Sequence, residues 1–239
     1  MSISWKGVFP ALTTKFTPND TLDMDKFGES LKAQVDAGID GVILGGSLGE
    51  ASTLTTAEKE TLVKYAIDRL GKKIPVVLNI AEASTRDAVK QANLGKSWGA
   101  AGLMLLPPMR YKSDDRETVE YFKAVAEATD LPVMIYNNPI DYKIDVTLDM
   151  FDGLQECETI TAVKENSRDV TNVTRMINRS GDRYSVLCGV DTLGVEEMVL
   201  GAEGWVGGLV CAFPRETVAI YRLIKAGRID EAVAINRWF

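Results

Sequence analysis

Gly99-Ala-Ala-Gly-Leu-Met-Leu-Leu106 is the stretch that decides how this chain folds. A short glycine-containing return leads into an apolar run that starts at Gly102, between the helix patterns Thr85–Trp98 and Asp115–Ala128. A run that is apolar on both faces and flanked by amphipathic helices is typical of a strand in a parallel sheet. The stretch therefore predicts a strand–helix unit of a parallel α/β fold.

The same unit recurs along the whole chain. The strand candidates are Gly7–Thr13, Gly41–Gly45, Pro75–Ile80, Gly102–Leu106, Pro132–Tyr136, Ile160–Lys164, Tyr184–Cys188 and Gly204–Val210. The helix candidates are Asp25–Ala37, Thr56–Leu70, Thr85–Trp98, Asp115–Ala128, Thr147–Leu154, Val170–Ile177, Leu193–Leu200 and Pro214–Lys225. Eight strand–helix units predict a parallel (β/α)₈ TIM barrel. A doubly wound sheet is the alternative, but it usually carries G-x-G-x-x-G after its first strand, and Ala11-Leu-Thr-Thr14 contains no glycine.

The end of the chain predicts a second unit. Residues 1–227 are assigned to the barrel, and residues 228–239 to the start of a C-terminal helical domain that is largely missing. The segment Arg228–Phe239 begins an amphipathic pattern and ends on Trp238 and Phe239. We expect its apolar face to be covered by a partner or by a longer native chain, because large exposed apolar patches are uncommon on soluble monomers.

Composition narrows the class of protein. The formal net charge of −7 argues against electrostatic binding of nucleic acid. The apolar runs have strand length and no leader pattern is visible, so we expect a soluble, cytoplasmic protein without membrane spans. Three widely spaced cysteines argue against a disulfide framework, and Cys188 and Cys211 fall in apolar runs that predict buried thiols. Histidine is absent, so acid–base chemistry would use Tyr, Lys, Asp or Glu.

Lys164 is the most informative side chain, because it ends the otherwise apolar run Ile160-Thr-Ala-Val-Lys164. A lysine in an apolar pocket has a lowered pKa and forms Schiff bases with carbonyl compounds. A salt bridge to Glu165 or another carboxylate is the alternative interpretation.

Two further groups end neighbouring strands, where the active site of such a barrel lies. The turn Gly45–Glu50 offers backbone N–H groups and the Ser47 hydroxyl to an anion such as a carboxylate, although it also fits an ordinary glycine turn. Tyr136 ends its strand with a phenol that either points into the barrel mouth or bonds to the backbone. With Lys164, these groups suit imine chemistry on a 2-oxo acid, which needs no metal and no cofactor.

In order and spacing, three motifs resemble the dihydrodipicolinate synthase / N-acetylneuraminate lyase superfamily of class I aldolases. The motifs are Gly46–Glu50, Tyr136–Pro139 and Val163–Glu165. The resemblance implies that Lys164 is the Schiff-base lysine, that Tyr136 shuttles protons, and that Ser47 and Leu48 bind the substrate carboxylate. It also implies a homotetramer or homodimer.

The chain departs from the synthases of this superfamily in the pocket for the second substrate. Asp141 occupies the position of their carboxylate-binding arginine, and Tyr111 is at best a shifted substitute for their interface tyrosine. We expect this pocket to comprise the side chains Arg110, Tyr111, Asp141, Tyr142 and Lys143.

Tyr136-Asn-Asn-Pro139 followed by Tyr142 resembles the branch that deaminates Δ1-pyrroline-4-hydroxy-2-carboxylate during hydroxyproline degradation, which is our expected activity. The alternatives are 4-hydroxy-tetrahydrodipicolinate synthase and another pyruvate aldolase, such as N-acetylneuraminate or 2-keto-3-deoxygluconate lyase. A non-catalytic barrel that binds a metabolite is the alternative from another class.

Overall fold

Eight parallel strands alternate with helices and form one sheet that closes on itself. The computed structural model describes residues 3–71, 73–108 and 112–239. The strands are β1 Gly7–Pro10, β2 Val42–Leu44, β3 Val76–Ile80, β4 Gly102–Leu105, β5 Val133–Asn137, β6 Ile160–Glu165, β7 Ser185–Cys188 and β8 Gly204–Gly207. The helices are α1 Met24–Ala37, α2 Thr56–Leu70, α3 Thr85–Trp98, α4 Asp115–Glu127, α5 Pro139–Tyr142, α6 Leu148–Gly153, α7 Thr171–Ser180, α8 Gly194–Val199, α9 Leu209–Ala212, α10 Pro214–Lys225 and α11 Ile229–Asn236.

The sheet order is β1-β8-β7-β6-β5-β4-β3-β2, with every neighbouring pair parallel. Its two edges meet where Ala11 bridges to Ile43 and the Leu12 N–H donates to the Ile43 carbonyl oxygen at 2.9 Å. The predicted (β/α)₈ barrel is confirmed. Because all strands run in one direction, their carboxyl ends gather at one mouth.

Side chains of the strands alternate between two buried layers. Phe9, Ile43 and Met134 are among those that fill the inside of the barrel. Cys188 and Ile135 are among those that pack between the strands and the helices. Burial on both faces explains why the strands read as continuous apolar runs.

Two predicted strands are too long at their carboxyl ends. β1 ends at Pro10 rather than Thr13, and β8 ends at Gly207 rather than Val210. The chain after β8 instead enters α9, because the Asp191 carboxylate accepts hydrogen bonds from the backbone N–H groups of Gly208 and Leu209 at 3.0 and 2.9 Å. The short helices α5 and α9 were also missed, since four residues are too few to show a helical period.

The helices predicted at Thr56–Leu70 and Asp115–Ala128 start where expected, directly after Thr55 and Asp114. Both residues cap their helices in a capping box with a glutamate three residues later, Glu58 and Glu117 respectively. In the described ranges, no helix combines the length and the apolar character needed to cross a bilayer.

The helix predicted after residue 227 is present as α11. Ala232 is fully buried, whereas Val233 and Ile235 are half-buried. Trp238 is 68% exposed and stacks edge-on with Phe213 and Phe239, which are also exposed. The division into two domains at residue 227 stays a prediction.

Candidate active site

Lys164 on β6 and Tyr136 on β5 are register partners, and both side chains point into the barrel. Lys164 is 6% exposed, and its Nζ lies 3.9 Å from the centroid of the Tyr136 ring. No described residue forms a hydrogen bond or an ion pair with this amine, so the salt bridge to Glu165 is absent. Burial lowers the pKa of Lys164 to about 8, although the negative charge of Asp191 opposes the shift.

The backbone next to the Lys164 side chain leaves room only for a glycine at position 189. A Cβ on Gly189, the residue after β7, would lie 2.9 Å from Lys164 Cε and 2.7 Å from the Glu165 carbonyl oxygen. Real Cβ atoms do not approach so closely, so any larger residue would displace the lysine. The sequence places Gly189 at a strand end but gives no sign of this contact.

Glu165, the next residue, points away from the barrel interior and is fully buried. Its carboxylate accepts hydrogen bonds from Asn137 Nδ2 at 3.2 Å, Asn172 Nδ2 at 2.7 Å and the Ser167 N–H at 2.6 Å. These bonds fix β6 to β5 and to α7. Glu165 therefore supports the strand that carries Lys164 and does not face the same cavity.

Tyr136 is 8% exposed, and its hydroxyl oxygen accepts a hydrogen bond from Asn138 Nδ2 at 3.2 Å. Burial raises the pKa of Tyr136, while the hydrogen bonds from Asn138 and Tyr142 oppose the shift. The phenol is therefore neutral near pH 7 and retains its proton. A neutral phenol beside an amine suits proton transfer.

The turn after β2 lies at the same mouth. The Ser47 hydroxyl is 2.6 Å from the Tyr142 hydroxyl, and the Tyr142 ring packs edge-on against Tyr136. The backbone N–H groups of Ser47 and Leu48 donate to no described residue. They are thus available to an anion, whereas the Leu48 side chain is 54% exposed. Ser47, Tyr142, Tyr136 and Lys164 form one polar group at the mouth.

The predicted second-substrate pocket is brought together only in part. The Asp141 carboxylate accepts a hydrogen bond from Asn138 Nδ2 at 2.7 Å, which holds it near Tyr136. Lys143 ends α5 in a left-handed conformation, and its amine donates to the Ile140 carbonyl oxygen, so it belongs to the end of that helix. Arg110 and Tyr111 lie outside the described residues.

Asp191, a polar residue that follows β7 in the sequence, influences the site through its negative charge. Its carboxylate accepts from Trp205 Nε1 at 3.1 Å in addition to the two N–H groups that start α9. A Cβ on Gly207 would lie 2.4 Å from Asp191 Oδ1. The carboxylate is therefore held rigidly, and its charge acts on both Lys164 and Tyr136.

Comparisons with known proteins identify the family to which this chain is similar. The model of the dihydrodipicolinate synthetase family matches residues 4–238. A 4-hydroxy-tetrahydrodipicolinate synthase from Aquifex aeolicus is 32% identical over 97% of this chain and 79% of its own length.

Solved structures give the same result. The crystal structure of dihydrodipicolinate synthase from Aquifex aeolicus superposes with a TM-score of 0.93 at 31% identity, over 98% of this chain and 80% of that one. YagE from E. coli K12, a protein of the dihydrodipicolinic acid synthase family in complex with pyruvate, has a TM-score of 0.92 at 25% identity, with 98% and 80% covered.

Proposed function

This chain belongs to the dihydrodipicolinate synthetase family and is an enzyme of the class I aldolase type, and from that membership we propose that it is a lyase that binds a small 2-oxo acid as a Schiff base on Lys164. The observation that carries the proposal is the buried amine of Lys164 without a described hydrogen-bond partner, with a pKa of about 8, beside the Tyr136 phenol. A lysine in such surroundings is a nucleophile near neutral pH.

The first step forms a bond between Lys164 Nζ and the carbonyl carbon of the substrate. The carbonyl oxygen becomes the hydroxyl of a carbinolamine and leaves as water, which requires that a proton be delivered to it. Tyr136 is the proposed proton carrier, because its neutral phenol lies over the amine. The protonated imine then withdraws electrons from the neighbouring carbon, so that carbon can lose a proton and become an enamine.

The substrate carboxylate is proposed to bind at the turn after β2. The N–H groups of Ser47 and Leu48 donate to no described residue, and the Ser47 hydroxyl adds a third donor. Backbone N–H groups that converge in a turn form an anion site. The pyruvate complex of YagE, a relative with the same fold, supports a 2-oxo acid as the ligand.

For the specific reaction, the names of the relatives favour 4-hydroxy-tetrahydrodipicolinate synthase, in which the enamine of pyruvate would attack aspartate semialdehyde. They give no support to the deamination of Δ1-pyrroline-4-hydroxy-2-carboxylate, which the sequence led us to expect.

One observation keeps this deaminase as the second candidate. Asp141 is held beside Tyr136 by its hydrogen bond from Asn138 at 2.7 Å. A carboxylate there repels the carboxylate of aspartate semialdehyde, whereas the 4-hydroxyl of the cyclic imine can donate a hydrogen bond to it. This reaction consumes one water and releases ammonia and 2,5-dioxopentanoate.

Borohydride reduction in the presence of pyruvate, followed by mass spectrometry of the peptides, tests the proposal. We expect an adduct on Lys164, and none on Lys59, another buried lysine, whose amine is paired with Glu82 at 3.0 Å. If no 2-oxo acid gives an adduct on Lys164, the lyase is excluded and the non-catalytic barrel is favoured. Parallel assays of pyruvate condensation with aspartate semialdehyde, and of ammonia release from the cyclic imine, decide between the two reactions.

Assembly and location are proposed as well. The family resemblance predicts a homotetramer or homodimer, and the sequence predicts a cytoplasmic enzyme. Sedimentation of the purified protein measures the assembly directly, and a monomer that turns over at the full rate would contradict it.

A further inference from the structure

Asn138 connects the Tyr136 phenol to α5 through both ends of its side-chain amide. The residue is 1% exposed. Its Nδ2 donates to Tyr136 Oη at 3.2 Å and to Asp141 Oδ2 at 2.7 Å. Its Oδ1 accepts the Asp141 N–H at 3.2 Å, which caps α5. The amide therefore uses every group it has within one small cluster.

These partners fix which way the amide faces. The Asp141 N–H only donates, so it must meet Oδ1, and the Asp141 carboxylate only accepts, so it must meet Nδ2. The second N–H of the amide is then directed at the phenol. Because the Tyr136 oxygen accepts this bond, its own O–H is free to donate in another direction.

We propose that Asn138, anchored by Asp141, is a positioning residue that orients the Tyr136 hydroxyl as a proton donor toward the substrate on Lys164. This role rests on the proposed Schiff-base function. Asn138 does not touch the reacting atoms; it acts through the phenol. In its absence the Tyr136 hydroxyl keeps only the hydrogen bond from Tyr142, and the fraction of time for which its proton faces the carbinolamine falls.

The charges around the Tyr136 phenol mean that Asn138 and Asp141 have measurable effects on its pKa. Burial raises the pKa of Tyr136; the hydrogen bond from Asn138 opposes this shift, and the negative charges of Asp141 and Asp191 add to it. The other titratable groups that face the phenol are Lys164 on β6 and Tyr142 on α5. Asn138 and Asp141 therefore act on the phenol in opposite directions.

Three variants test the role. Asn138→Ala removes the cap of α5 and the bond to the phenol, whereas Asn138→Ser keeps a capping hydroxyl but is too short to reach Tyr136. Asp141→Asn removes the charge. We expect both Asn138 variants to lower kcat roughly ten-fold, as for the loss of one oriented hydrogen bond, with KM near that of the parent and with the Lys164 adduct still formed.

The pH profile of kcat separates positioning from a merely structural role. The alkaline limb, where the phenol loses its proton, is expected to move to higher pH in Asn138→Ser and to lower pH in Asp141→Asn. If Asn138→Ser has the turnover and the pH profile of the parent, only the helix cap matters and the proposal is overturned. It is also overturned if the alkaline limbs of Asn138→Ser and Asp141→Asn shift in the same direction. A parent enzyme that gives no adduct would instead reject the Schiff-base function itself.

Discussion

Lys164 and Glu165 are neighbours in sequence and are both buried, yet they lie on opposite faces of β6 and differ in their hydrogen-bond partners. The lysine faces the interior of the barrel, where its amine has an aromatic ring beside it and no described hydrogen-bond partner. The glutamate faces the helices, where three N–H groups from β5, α7 and the chain after β6 bond to its carboxylate.

The difference separates a candidate nucleophile from a supporting group. Burial without a hydrogen-bond partner lowers the pKa of a lysine and so favours its neutral amine, which is the nucleophile. A buried carboxylate with several donors is instead a structural connection whose loss leaves those donors unpaired. One strand therefore carries the proposed nucleophile on one face and the residue that supports it on the other.

Lys164→Met should have the largest effect, because it removes the proposed nucleophile. We expect the adduct and the turnover to fall below detection while the folded state becomes more stable by about 1–3 kcal/mol at pH 7. The pKa is depressed from 10.5 to about 8, so below pH 8 the folded state holds an unfavourable charge. That penalty disappears as the pH rises from about 8 to 10.5.

Thermal melts and activity assays of Lys164→Met and Lys59→Met make the comparison. Lys59 is also buried but is paired with Glu82, so its replacement is expected to destabilise the protein by about 1–2 kcal/mol. Equal changes in stability for the two variants would show that the missing partner of Lys164 has no energetic consequence.

Tyr136→Phe should keep the ring beside the amine and remove only the hydroxyl. We expect kcat to fall by roughly 10²–10⁴-fold, as for the loss of a general acid–base group. Lys164 should still be trapped by borohydride, and the thermal midpoint should change little. Undiminished turnover would make Tyr136 a packing residue and leave the lysine without a proton carrier.

Glu165→Leu should show the opposite profile to Lys164→Met. It leaves Asn137, Asn172 and the Ser167 N–H without their acceptor, so we expect a loss of about 2–4 kcal/mol in the free energy of unfolding. Denaturant titration measures the loss. Glu165→Gln, which keeps one acceptor oxygen, should lose less, and the folded fraction of both variants should still form the adduct. A stable Glu165→Leu protein without adduct would place Glu165 in the chemistry.

Glu197 on α8 sharpens the comparison further, because it is buried behind β7 and neither carboxylate oxygen has a described partner. Burial raises the pKa of Glu197 from 4.5 to about 8. A raised pKa in the folded state means that stability is present at low pH and falls as the pH rises from about 4.5 to about 8. We expect Glu197→Gln to remove this fall, so that the thermal midpoints of the two proteins diverge as the pH rises from about 4.5 to about 8 and differ by a constant amount above pH 8. Parallel pH curves would indicate that Glu197 is ionised and solvated.

The sequence predicted the barrel, the eight strands and a lysine buried at the end of β6, because each depends on local pattern. An apolar run between amphipathic helices is visible in Gly99–Leu106, and a lysine that ends such a run is visible at Lys164. The sequence did not predict the role of Asn138, since its hydrogen bonds join α5 to the phenol in space. Nor did it predict that Asp191 starts α9, because that contact spans 17 residues.

What the sequence determined by itself was which chemical groups end the strands, since the order of strand, turn and helix puts Ser47, Tyr136 and Lys164 at one mouth. Only the tertiary structure decided which of these groups are paired. The solvation of a buried charge depends on side chains that meet across strands. The packing of β5, β6 and α7 gives Glu165 its hydrogen-bond donors and leaves Lys164 without a described partner, and the sequence alone does not distinguish the two residues in this respect.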